Sequence, residues 1–223
     1  MRSDPYVIGD DAAAALLTGM PWARFAAVGD SGAAGETEAF EGYRTRSWFD
    51  QVAEWLRMAR FALVARNFGR RDVRAAEVRA WQLGPALEFE PDLAAVLSGG
   101  NDLLQRDFDP GATGDEIAKV VGALREAGAT VLMTGLFDIT VSPYVEERYR
   151  KVMSERIARL TAVIREIATA HDAVYVDLPN HPAATEAIYS SDGLHLNARG
   201  QAILATEVAR ALSLRAGLAG PGR

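Results

Sequence analysis

The sequence contains no cysteine, which excludes a disulfide framework, a thiolate metal site and a cysteine nucleophile together. It has no excess of positive charge. The 24 Lys+Arg against 30 Asp+Glu leave a formal net charge of −6, so no basic field is available to hold nucleic-acid phosphates. It also has no long hydrophobic run. The early apolar stretch Ala12 to Leu17 is six residues long and follows Asp10 and Asp11, short of the roughly 7–15 apolar residues of a secretory signal behind positive charge. No stretch approaches the about 18 apolar residues of a membrane span. Histidine is scarce, with three in the chain and no His-x-x-x-His pair, so a metal-dependent hydrolase lacks its usual ligands. These absences create the expectation of a cytoplasmic protein with no metal, cofactor, nucleic-acid or membrane partner.

What is present is an ordinary globular composition, 49% hydrophobic and 24% charged over 223 residues. That length suits one α/β-sized domain, and no Pro-, Gly- or Ser-rich linker divides it. A single domain is expected over 1–223, with the small, Gly-rich residues 217–223 as a flexible tail. Short apolar runs read as strands at Phe25 to Val28, Phe61 to Val64, Leu93 to Leu97, Thr130 to Met133 and Val174 to Val176. Each ends at turn or polar residues. Between them, apolar residues return every three or four positions at about 45–58, 71–83, 113–127, 145–171 and 199–214, as in Ile157, Leu160, Ile164 and Ile167. Alternation of strand and helix predicts a three-layer α/β/α sandwich around a mainly parallel five-stranded sheet, because parallel neighbours need crossover connections.

Ligands of such sheets bind beyond the carboxyl ends of the strands, and three expected strands end there in polar clusters. These are Gly29-Asp30-Ser31-Gly32, Arg66-Asn67-Phe68-Gly69 and Ser98-Gly99-Gly100-Asn101-Asp102. Ser31 follows its strand with little side-chain bulk around it, leaving its hydroxyl exposed. A serine hydroxyl is a poor nucleophile until a base takes its proton. His171 and His181 sit in no pattern of polar groups that suits this task. His195 lies in Ser190-Ser191-Asp192-Gly193-Leu194-His195, where a turn through Gly193 can return the Asp192 carboxylate to the imidazole Nδ1 and leave Nε2 as general base.

Gly29-Asp30-Ser31, Gly99-Gly100-Asn101-Asp102 and Asp192-Gly193-Leu194-His195, in that order, resemble the motif blocks of the SGNH hydrolases, also called GDSL-type esterases and lipases. The resemblance implies a flavodoxin-like α/β/α fold and a serine esterase with Ser31 as nucleophile, His195 as base and Asp192 as its orienter. It further implies an oxyanion hole made of the Ser31 N–H, the Gly69 N–H and the Asn101 side-chain amide. Gly32, Asp102, Tyr43 and Arg44 are candidates for contacting substrate, with Glu36 and Trp48 beside them. Where the family often has Leu after the serine, this chain has Gly32, which removes an apolar wall and weakens the inference of a lipid substrate. The expected substrate is a small soluble carboxylic ester, and the same acyl-enzyme chemistry serves a thioesterase or an acyltransferase.

Several residues also carry plainer readings. Asn101 and Asp102 suit helix caps, Gly69 suits any turn, and Asp30 suits a role of holding its loop by accepting backbone hydrogen bonds. A non-catalytic phosphate- or nucleotide-binding module is a separate alternative, since a Gly-rich turn follows the first strand. Its spacing matches neither Gly-x-Gly-x-x-Gly nor a Walker A motif, and Asp30 and Glu36 would repel phosphate.

Overall fold

The computed structural model describes residues 4–143 and 145–218. Five parallel strands form one sheet in the order β2-β1-β3-β4-β5: β1, Arg24–Gly29; β2, Val64–Asn67; β3, Leu93–Leu97; β4, Thr130–Thr134; β5, Val174–Val176. The central strand β3, Leu-Ala-Ala-Val-Leu, is buried along its whole length, as expected of a parallel strand covered on both faces. The edge strand β2 pairs with β1 only, with Val64 opposite Arg24. Its position corrects the expectation of a strand at Phe61 to Val64. Phe61 and Ala62 form a turn, with Phe61 98% exposed, and pairing begins only at Val64, where the chain comes alongside β1.

Helices cover both faces. They are α1, Asp10–Leu16; α2, Ser31–Ala34; α3, Trp48–Ala59; α4, Ala75–Trp81; α5, Leu83–Glu88; α6, Gly100–Leu103; α7, Pro110–Glu126; α8, Glu147–Ala170; and α9, Ala198–Leu218. On one face α1, α3 and α9 bury Trp48, Trp55, Phe25 and Phe49 in an aromatic-rich core. On the other, α4, α7 and α8 form an aliphatic core around Val28, Val96, Ile117 and Leu160. Local chemistry sets several helix starts: Ser47 accepts from the Asp50 N–H before α3, and Asp109 accepts from Gly111 and Ala112 before α7, which has Pro in its first turn.

Two expectations on helices are corrected. The single helix expected at 71–83 is two, because the chain breaks at buried Gln82, whose carboxamide accepts from the Gly29 N–H at 2.7 Å and donates to the Gly29 carbonyl at 2.9 Å. Gln82 thereby pins the end of β1. Of the tail expected at 217–223, residues 217 and 218 belong to α9; residues 219–223 lie outside the described residues. Among the described residues no helix is long and apolar enough to cross a membrane.

The topology positions the site. From β1 the chain goes outward to β2 on one side, then returns to β3 on the other, so the strand order reverses between β1 and β3. Such a reversal opens a crevice at the carboxyl ends of the two strands. Ser31 follows β1 and Asn101 follows β3, one on each side of it.

Candidate active site

Gly29 ends β1 with φ +142°, and a Cβ there would fall 1.7 Å from the Leu97 carbonyl oxygen. Only glycine lets β1 run this close to β3 as the chain turns into α2. Asp30 is then buried, 6% exposed, and caps two loops at once. Its Oδ1 accepts from Gly32 N–H and its Oδ2 from Gly100 N–H, each at 2.9 Å. This ties the Ser31 turn to the Gly99-Gly100-Asn101 turn. Burial pushes the Asp30 carboxyl up to about 6, against these two backbone hydrogen bonds, which favour the charged form.

Ser31 is the first residue of α2, so its N–H has no intrahelical partner. Its Oγ lies 2.8 Å from His195 Nε2, and His195 Nδ1 lies 2.6 Å from Asp192 Oδ2. A carboxylate only accepts, which assigns the ring proton to Nδ1 and leaves Nε2 to accept from the serine hydroxyl. The turn that carries the pair is built locally. Gly193 has φ +67°, its N–H donates to the Ser190 carbonyl, and Asp192 Oδ1 accepts from the Leu194 and His195 N–H groups. Burial raises the Asp192 carboxyl, but hydrogen bonds from the His195 ring and from both backbone N–H groups, with the charge of His195, outweigh it and hold Asp192 below the usual carboxylate value.

Two residues absent from the sequence reading hold this turn against Ser31. Asn197 accepts from the Arg199 and Gly200 N–H groups at the start of α9 and donates to the Ala187 and Tyr189 carbonyls. Gln201 is 2% exposed; it accepts from the Trp48 N–H and donates to the Glu36 carbonyl, both at 2.8 Å. An Asn directly before a helix is a legible cap signal. The partners of Gln201 come from distant segments and leave no local signature.

The remaining sequence candidates divide. Gly32, Glu36 and Asn101 line the cavity beside Ser31. Asn101 donates one amide hydrogen to the Val73 carbonyl at 2.9 Å, and a carboxamide retains a second. Gly69 is a correction: its N–H donates to Asn67 Oδ1 at 2.9 Å, and it does not line the cavity. Asn67 in turn donates to the Ala33 carbonyl, so β2's exit loop is tied to α2. Glycine is required at 69 by packing, since a Cβ would come within 2.5 Å of the Ala34 nitrogen. Asp102 is also corrected: its Oδ2 accepts from the Ala75 N–H at the start of α4, away from the cavity. Tyr43 and Arg44 are corrected too. Tyr43 hydrogen-bonds Asp4, which also accepts from Arg199, and Arg44 pairs with Asp10 at 2.6 Å. The Tyr43 hydroxyl and the Arg44 charge are both satisfied by the N-terminal segment. Trp48 is buried, and its Nε1 donates to the Gly32 carbonyl.

The cavity itself was not legible beforehand. It has a volume of about 150 Å³ and runs from Ser31 and His195 past Thr134 and Phe137, beyond β4, to Leu178 and Leu204. An open groove of about 710 Å³, lined in part by Arg106, Arg148 and Tyr149, adjoins it at Leu104, Ile139 and Leu194.

The fold is that of a hydrolase of the α/β/α type, and comparison with known proteins agrees on the fold. The chain is similar in fold to the crystal structure of TesA, at 23% identity and TM-score 0.61, covering 85% of this chain and 97% of that one. It is similar to a lipase/acylhydrolase from Enterococcus faecalis, at 20% identity and TM-score 0.66, covering 86% and 96%. It is also similar to an acetyl xylan esterase, AlAXEase, at 17% identity and TM-score 0.67, covering 84% and 98%. No curated protein sequence matches. The profile of the GDSL-like Lipase/Acylhydrolase family matches residues 27–203, most of the chain, and the protein belongs to that family of carboxylic ester hydrolases.

Proposed function

We propose that the protein is a serine esterase that hydrolyses small carboxylic esters through an acyl-Ser31 intermediate. The observation that carries this reading is the continuous chain from Ser31 Oγ through His195 to Asp192 at the mouth of a cavity, with 2.8 Å and 2.6 Å between its members. His195 Nε2 takes the Ser31 proton as Oγ attacks the ester carbonyl carbon. The carbonyl oxygen becomes an oxyanion within reach of the Ser31 N–H and the second amide hydrogen of Asn101, and fixed donors at that position lower the barrier without reorganisation. Collapse breaks the ester C–O bond, and His195 returns its proton to the departing alcohol. Water, deprotonated by His195, then attacks the acyl carbon, and Ser31 leaves with the proton. Asp192 keeps the imidazole in the productive tautomer and stabilises the imidazolium.

Hydrolysis of p-nitrophenyl acetate, butyrate and octanoate by wild type and Ser31→Ala tests the proposal, with intact-mass detection of an acyl adduct. Wild type is expected to turn over at least one ester and to carry the adduct, and Ser31→Ala is expected to lose about 10³-fold or more in kcat. Undiminished turnover by Ser31→Ala would refute the nucleophile.

A further inference from the structure

The Ser31 site opens onto two spaces of different kind. The inner cavity of about 150 Å³ has Ser31 and Asn101 in its wall, and a cavity of that size takes one benzene-sized guest, about six carbons. The outer groove of about 710 Å³ is lined by Asp192, Gly193 and Leu194 and by neither Ser31 nor Asn101. Leu104, Ile139 and Leu194 line both, so one extended molecule can occupy the two together.

The chemistry decides which half of an ester lies where. The carbonyl must meet Ser31 Oγ and the donors of Ser31 and Asn101, which places the acyl group in the cavity. The leaving oxygen must receive its proton from His195 Nε2, so the alcohol departs along the 192–195 turn. Three residues of that turn are wall of the groove.

What the groove offers an alcohol follows from what its polar groups already bind. Arg156 donates to the Leu103, Gln105 and Arg106 carbonyls, which fixes the 103–106 segment against α8. Arg148 pairs with Glu146 at 2.9 Å, and Asp192 with His195. Beside Arg106, which is exposed to solvent, the accessible side chains that remain are apolar. Leu104, Tyr149, Val152 and Leu194 are each between 40% and 49% exposed, and a contiguous apolar lining left open to water marks a binding surface. Tyr149, Val152, Met153 and Arg156 all line the groove and recur at the three- and four-residue spacing of one helix face. That face is about 10 Å long, the reach of an extended alkyl chain of about eight carbons at ~1.2 Å per bond.

We propose that the groove is the alcohol-binding subsite, and that the preferred substrates are esters joining a short acyl group, of about six carbons or fewer, to an extended apolar alcohol of about eight carbons. This rests on the acyl-Ser31 reading and names the substrate class of that site.

The test uses two isomeric esters, octyl butyrate and butyl octanoate, whose equal composition leaves the placement of the long arm as the difference. Ethyl butyrate is the short reference, released acid is quantified below the solubility limit of each ester, and Ser31→Ala is run on all three. Wild type is expected to favour octyl butyrate over butyl octanoate, and over ethyl butyrate, by about tenfold or more in kcat/KM. Val152→Glu puts a charge on the groove face of α8 at an exposed position that a helix tolerates. It is expected to lower the ratio of octyl to ethyl butyrate about tenfold, whereas Leu214→Glu, at an exposed position on α9 lining neither space, is expected to keep the wild-type ratio. Equal rates on the isomers, a preference for butyl octanoate, or a ratio unmoved by Val152→Glu overturns the proposal. Activity surviving in Ser31→Ala instead brings down the acyl-Ser31 reading, so the two failures are distinct. Calorimetric titration of N-octylbutanamide and N-butyloctanamide into Ser31→Ala and Ser31→Ala/Val152→Glu makes the comparison without turnover. The N-octyl isomer is expected to bind about tenfold tighter in the first protein and to lose that advantage in the second; equal affinities in the first overturn the proposal.

Discussion

Two loops at the carboxyl edge of the sheet, 67–71 and 190–197, invite comparison. Both contain glycine, both carry a side chain that accepts a backbone N–H two residues on, and both approach Ser31 from outside its own strand. Asp192 accepts from Leu194 and Asn67 accepts from Gly69. Yet one loop aims its imidazole at the serine, and the other turns its N–H inward onto its own carboxamide. The difference lies in what remains free after the turn closes. Asp192 has a second oxygen left for His195, whereas Asn67 uses its amide nitrogen on the Ala33 carbonyl. Turn chemistry alone therefore does not say which loop serves the reaction.

The sharpest way to break the first loop is Asp192→Asn. The backbone bonds to Leu194 and His195 need only one accepting oxygen, so the turn is expected to persist, while an amide opposite Nδ1 favours the wrong tautomer. Turnover should fall by about 10³–10⁴-fold with little change in melting temperature, measured by ester hydrolysis and thermal unfolding on the same preparation. Unchanged turnover would assign the orienting of His195 to another group.

The second loop is expected to respond in the opposite manner. Gly69→Ala places a methyl group 2.5 Å from the Ala34 nitrogen and 2.8 Å from the Ala33 carbonyl carbon, against backbone that cannot yield cheaply. Destabilisation of about 1–3 kcal/mol is expected, seen as a lower denaturant midpoint. Stability equal to wild type would show that this loop is loose enough to rearrange, and would reopen an oxyanion role for the Gly69 N–H.

The smallest effect concerns Asp30, which joins the Ser31 and Asn101 turns. Its folded pKa, about 6, lies above the ordinary 3.8, so between those values the folded state holds a proton that the unfolded state has lost. Stability from this group is then complete below about pH 4 and is lost as pH rises through about 6. From pH 7 to pH 5 wild type should gain about 1 kcal/mol relative to Asp30→Asn. The carboxyls held low, such as Asp192 and Asp172, act at lower pH and do not mask it. A flat difference between the two proteins across that range would exclude the buried carboxyl as the cause.

The central strand was the most legible in the sequence. Leu93–Leu97 lies where its apolar run lies, because its burial is continuous. β2 was displaced because an edge strand alternates exposed and half-buried positions, Val64 to Asn67, and the neighbouring apolar run belongs to a turn. The same contrast holds at the site. Ser31, Asp192, His195 and Asn101 stood out because rare polar types cluster after strands or before a helix. Gln82 and Gln201 did not, since each is one ordinary residue whose partners come from other segments.

By itself the sequence determined the alternation of strand and helix, the absence of thiol chemistry, and the local turn that brings the Asp192 carboxylate back to His195. These depend on residue types within a few positions of one another, where backbone geometry alone relates them. Only the tertiary structure decided that the Gly69 N–H is taken by Asn67, and that Asp102, Tyr43 and Arg44 serve other segments. Those outcomes depend on which donors and acceptors remain unpaired once distant segments pack, and hydrogen-bond satisfaction in a buried site is a property of the whole assembly.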